Sequence, residues 1–125
     1  MAITTVEPGN SFLISNNKGT KDWAISALPP QSGPPVRADG MTVGVVEMTS
    51  DAPHNGEMHP DGDELLYVIS GAVEVSCESS SEVLTLGPDE SCVISKGEWH
   101  NVHILKPTRL IHITPGPGGD HRPLA

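Results

Sequence analysis

Basic side chains are scarce in this chain. Seven Lys and Arg stand against sixteen Asp and Glu in 125 residues, a formal net charge of −9. Nucleic acids and anionic membrane surfaces draw most of their affinity from protein cations, so neither is an expected partner. Aromatic residues are scarcer still, with two Trp, one Tyr and one Phe. A cavity lined by Leu, Val and Ile suits an aliphatic or small cyclic substrate better than stacked sugar rings. Two cysteines, Cys77 and Cys92, are too few for a disulfide framework. Each falls in an apolar strand pattern, which reads as a reduced, buried side chain in a cytoplasmic protein. No stretch approaches the ~18 apolar residues of a membrane span. The N-terminus lacks a charged segment followed by an apolar one, so no signal peptide is expected. Neither a phosphate-cradling G-x-G-x-x-G after a strand nor the nucleophile elbow of Ser/His/Asp catalysis is present.

What the chain does have is punctuation. Thirteen glycines and twelve prolines make up one position in five. With no heptad or long apolar period, that composition favours short strands and tight turns over helices. Strands are expected at Phe12–Ser15, Thr42–Met48, Glu57–His59, Leu65–Ile69, Ala72–Cys77, Glu82–Leu86, Ser91–Ser95, Asn101–Leu105 and Leu110–Thr114, while Trp23–Ile25 reads either as a strand or as an apolar plug. Ser70-Gly71 reads as a hairpin turn, and Gly87-Pro88-Asp89 as a breaker. The run Pro29–Pro35 cannot be a central strand, because proline removes ladder donors. The expected organisation is one domain: an N-terminal arm and Pro-rich connector (1–40), a barrel core (41–114) and a Pro/Gly-rich tail (115–125), mobile or extended. The expected class is all-β, a small antiparallel barrel or jelly roll.

The chemistry concentrates in Glu57-Met58-His59-Pro60-Asp61-Gly62-Asp63-Glu64. Glu57 and His59 are two apart and share a face on a strand. Pro60–Asp63 forms a turn, and Glu64 opens the next strand. Two adjacent strands thereby aim an imidazole and two carboxylates at one point. Asp61 and Asp63 belong to the turn, since the ladder of a calcium loop is missing.

This spacing resembles the first motif of the cupin superfamily, G-x5-H-x-H-x3-4-E-x6-G. His59, Glu64 and Gly71 match it, Glu57 stands in place of the first histidine, and the leading glycine is absent. The second motif, G-x5-P-x-G-x2-H-x3-N, is similar to Gly87…Ser95-Lys96-Gly97-Glu98-Trp99-His100. Ser95 replaces its proline, the spacing from Gly87 is two residues longer, and Ile104 stands where asparagine is common. The resemblance spans about Met41 to Ile113. It implies a cupin-like barrel in which His59, Glu64 and His100 bind a divalent transition metal. Glu57 is either a fourth ligand and proton-transfer group or a solvated residue at the barrel mouth. A two-His, two-carboxylate set suits iron, manganese, zinc or nickel.

The remaining histidines divide by position. His54 is expected in a loop near the entrance. His103, at odd separation from His100, points to the opposite face. His112 lines the cavity as a proton shuttle or is a hydrogen-bonded structural histidine, and His121 has no assigned role. Trp99 faces away from His100, toward core or interface packing. Glu64, Leu66 and Val68 share one strand face and Leu65, Tyr67 and Ile69 the other, both largely apolar. A strand covered on both sides points to a second layer, and a homodimer is expected.

The function that follows is a metal-dependent enzyme on a small molecule, with the metal as Lewis acid for isomerase, lyase or cyclase chemistry. An iron-dependent dioxygenase in the same barrel and a non-catalytic ligand-binding or sensing module are the alternatives.

Overall fold

The computed structural model describes residues 2–16, 20–29, 39–116 and 119–123, and every regular element among them is a strand. In chain order these are β1 (Ser11–Asn16), β2 (Trp23–Leu28), β3 (Met41–Met48), β4 (Glu57–Met58), β5 (Glu64–Cys77), β6 (Val83–Leu86), β7 (Ser91–Ile94), β8 (His100–Pro115) and β9 (Asp120–His121). They form one antiparallel sheet, curled into a half-barrel. Its path runs β2-β1-β3-β8-β4-β9, while β5 pairs with β6, β7 and β8. The expected all-β architecture is what the chain adopts. No helix among the described residues is long and apolar enough to cross a membrane. Most of the Pro-rich connector, from Pro30 to residue 38, lies outside the described residues.

Two expected breaks are absent. Ser70-Gly71 is not a hairpin turn, because β5 runs unbroken through it. The segments Asn101–Leu105 and Leu110–Thr114 are likewise one strand, β8. Both differences have one cause, a bulge where the two long strands cross. Leu66 pairs with His112 and Val68 with Leu110, but beyond the bulge Val73 pairs with Ile104 and Val75 with Val102. The register slips by one residue, so the inward face of β5 changes from Glu64, Leu66 and Val68 to Val73 and Val75. All five are buried. Gly71 has φ +93°, and a Cβ there would stand 2.4 Å from the Pro107 carbonyl oxygen, so a glycine is required. Pro107 sits opposite the bulge, where the ladder needs no donor.

The core is small and aliphatic: Leu66, Val68, Val73, Val75, Leu86, Ile94 and Leu110, with Val46, Met48, Cys92, Val102 and Ile104 packed against it. Burying each such side chain stabilises the fold by roughly 1.5–3 kcal/mol. Cys77 and Cys92 are free and half-buried. Around the core's open end the chain closes on itself. β9 pairs with β4, and the Arg122 N–H donates to the Gly56 carbonyl (3.0 Å) while the Asn55 N–H donates to that of Arg122 (2.8 Å). The Arg122 guanidinium lies 4.1 Å above the Trp99 ring and also pairs with Glu78. The tail is thus extended and paired at Asp120–His121.

Candidate metal centre

Four side chains from separate elements meet at the open end of the core. Glu57 lies on β4 directly opposite His100, the first residue of β8. Cross-strand partners project from the same face, which brings carboxylate and imidazole together. Glu64 opens β5, pinned by pairing with Ile94 of β7. His59 follows β4 by one residue. Its carbonyl accepts the Gly97 N–H at 3.0 Å, and the Gly119 backbone passes so close that an added Cβ would lie 2.7 Å from His59 Nδ1.

One donor atom from each of Glu57, His59, Glu64 and His100 lies within 4.8 Å of the others. His100 Nε2 is 2.9 Å from Glu64 Oε1 and 3.3 Å from Glu57 Oε1. His59 Nε2 is 3.3 Å from Glu64 Oε2 and 4.0 Å from Glu57 Oε1. Both His59 ring nitrogens are buried without a well-aligned hydrogen bond, although Nε2 stays within ion-pair range of Glu64. A buried, unsatisfied imidazole facing two carboxylates is costly unless something else occupies the gap.

The electrostatics are those of a tight cluster. Burial raises the Glu57 carboxyl, but the hydrogen bond and charge of His100, with His59 and His54, outweigh it and hold the group at about 2. Glu64 is also lowered, burial again opposing the contacts from His100 and His59. Burial lowers His100, yet its bonds to Glu57, Glu64 and the Glu98 carbonyl push it up to about 10. His59 is raised against its burial by Glu64 and Glu57. His100 Nδ1 donates to the Glu98 carbonyl at 2.9 Å, which turns Nε2 to the centre. That backbone bond is the outer-shell support that orients ligating histidines. Two imidazoles and two carboxylates fit a divalent transition metal, which would satisfy His59 and replace the proton on His100.

The cluster opens into a cavity of about 440 Å³ walled by Val46, Met48, Leu66, Val102 and Leu110, with His54, His112 and Thr114 also on its surface. His112 is set by its partner on β3: it lies across Gly44, where a Cβ would come within 2.1 Å of its Nε2. Burial lowers its pKa, against the pull of Glu64 and Glu57. His54 lines the cavity from the loop before β4, and His103 faces away, its Nδ1 2.8 Å from Asp51 Oδ2. Asp63 serves the turn, its Oδ1 accepting the Lys96 N–H at 2.8 Å.

His121 is where the sequence reading falls short. It had no assigned role, but pairing of β9 with β4 puts its Nε2 3.4 Å from Glu57 Oε2, with its ring 4.9 Å from that of His54. A lone histidine in a Pro/Gly-rich tail carries no local signal of this.

The comparisons with known proteins agree with the fold. A cupin domain model matches residues 44–114. Among solved structures, a cupin-2 domain containing protein from Shewanella frigidimarina is 23% identical with a TM-score of 0.53, over 60% of this chain and 70% of that one. A Neisseria meningitidis protein is 18% identical with a TM-score of 0.52, over 69% and 87%. A Bacillus halodurans protein is 24% identical with a TM-score of 0.51, over 66% and 68%. No curated protein sequence matches significantly. With the family model spanning more than half of the chain, the bulged half-barrel and its His/Glu cluster belong to a member of the cupin family.

Proposed function

We propose that this cupin is a metal-dependent enzyme acting on a small organic molecule, with Glu57, His59, Glu64 and His100 holding a divalent iron, manganese, zinc or nickel ion. The carrying observation is the convergence of these four donors, with the buried His59 ring nitrogens making no hydrogen bond of their own. When bound, the ion supplies Lewis acidity that stabilises negative charge on a substrate oxygen, the need common to isomerase, lyase and cyclase reactions. The chain's own residues do the rest. Val46, Met48, Leu66, Val102 and Leu110 exclude water and favour a compact, largely apolar substrate body. Burial lowers the His112 pKa and so favours its neutral ring, which can accept or return a proton at Nε2.

The outer face of the sheet supports a homodimer. Ala27, Phe12, Val43, Ile113, Leu65 and Val93 lie in one register row across β2, β1, β3, β8, β5 and β7. The row has no charge on a chain whose net charge is −9. Free Cys77 and Cys92 support a reducing, cytoplasmic setting.

Elemental analysis of purified protein tests the metal. At least one equivalent of a transition metal is expected, lost in His59→Ala and in Glu64→Ala. A folded wild-type chain that neither retains nor takes up such a metal would overturn the reading and leave a metal-free binding module.

A further inference from the structure

We propose that the chain binds a second divalent cation on the outer side of Glu57, held by His54, Glu57 and His121, so that Glu57 bridges two metals. The inference rests on the metal reading above, because the first ion occupies the inner side of the same carboxylate.

The two oxygens of Glu57 face different partners. Oε1 looks inward, 3.3 Å from His100 Nε2 and 4.0 Å from His59 Nε2. Oε2 looks outward, 3.4 Å from His121 Nε2 and 3.7 Å from His54 Nε2. Donor atoms from His54, Glu57 and His121 lie within 4.8 Å of one another. A carboxylate with imidazoles on both sides is an arrangement that a bridged pair of ions would use.

The outer trio is built by backbone, not by chance contact of long side chains. β9 adds to β4 with His121 opposite Glu57. The bonds from Asn55 N–H to Arg122 O and from Arg122 N–H to Gly56 O fasten the loop carrying His54 to the segment carrying His121. Arg122 is itself anchored on Trp99 and Glu78.

The outer site is the weaker of the two. His121 is 40% exposed, against complete burial of the His100 side chain. His54 Nδ1 accepts the Gly56 N–H at 3.2 Å, and ligation through Nε2 gives that bond up. Three protein donors leave coordination positions open to water or to a substrate oxygen. His54 and Glu57 both line the cavity, so an oxyanion in it would meet both ions. The ligand class is therefore a small molecule carrying a carboxylate or adjacent oxygens.

The test is a titration of the chelator-stripped full chain with Zn²⁺, followed by calorimetry and elemental analysis. Two equivalents are expected, the second bound at least tenfold more weakly. His121→Gln should weaken the second step tenfold or more, and His54→Gln/His121→Gln should leave one equivalent. That remaining equivalent should disappear in His59→Ala. A wild-type chain that stops at one equivalent, lost in His59→Ala but kept in the double variant, overturns the second site alone. Two equivalents persisting in the double variant overturn it as well, as surface binding; a chain that binds none overturns both readings. Mn²⁺ loading of the wild type needs no variant. Spin coupling that broadens the six-line spectrum at the second equivalent is expected, and two uncoupled signals overturn the bridge.

Discussion

Glu57 and His100 stand opposite each other on the β4–β8 ladder, with His100 Nε2 3.3 Å from Glu57 Oε1. Their pairing joins the part of the site that follows the loop at 52–56 to the part carried by the longest strand. It also couples their charges. The proton on His100 is held by carboxylates, and the carboxylates are held ionised by that proton.

The metal-free protein is expected to be most stable in mildly acidic solution. His100 is raised from 6.5 to about 10, so its stabilising contribution is complete below 6.5 and is lost as pH rises toward 10. Glu57 is lowered from 4.5 to about 2, so its contribution is complete above 4.5 and is lost as pH falls toward 2. Urea midpoints of the chelator-treated chain should therefore peak between these limits. A maximum above pH 8 would contradict the charged pair.

Metal loading should reverse part of that profile. An incoming ion displaces the His100 proton and any proton carried by His59, so uptake at neutral pH releases at least about one proton and tightens as pH rises. Calorimetry in buffers of different ionisation enthalpy counts the proton. Loading without proton release would place the ion away from His100.

Gly44→Ala should reshape the cavity. The added methyl would meet His112 Nε2 at 2.1 Å, forcing the ring out at a cost of about 1–3 kcal/mol, the usual range for overpacking. Gly44→Ala/His112→Ala should recover most of that loss. Additive destabilisation in the double variant would show that the ring is not what the methyl strikes.

Gly71→Ala tests the bulge. Its φ of +93° and the 2.4 Å approach to the Pro107 oxygen predict a loss of at least about 1–3 kcal/mol, read as a lower urea midpoint. An unchanged midpoint would mean that the strand crossing tolerates a side chain.

Val93→Asp tests the dimer. Val93 is exposed at the end of the six-strand apolar row, so the monomer should fold normally. Light scattering should find wild-type dimers and variant monomers. A monomeric wild type would remove the proposal.

Much of the inner site was legible because its signals are local. Glu57 and His59 sit two apart, and Glu64 follows a single turn, so alternation and turn chemistry alone place them together. His100 needed the resemblance to the second cupin motif. Other features had no local mark. Ser70-Gly71 looks the same before a hairpin or a bulge, since both use positive φ. Which one forms depends on whether β8 runs alongside, 30 to 40 residues later. His121 depended on a two-residue strand held by pairing to β4, a contact no window along the chain contains.

Composition and strand period, then, determined an all-β chain with an apolar inner face and a carboxylate–imidazole group at one bend. Those depend on side-chain size, alternation and turn preference, which act over a few residues. The tertiary structure decided that β5 and β8 cross through a bulge, that His112 rests on Gly44, and that His54 and His121 flank Glu57. These are set by backbone hydrogen bonds between segments far apart in the chain, and only the closed sheet determines which donors meet.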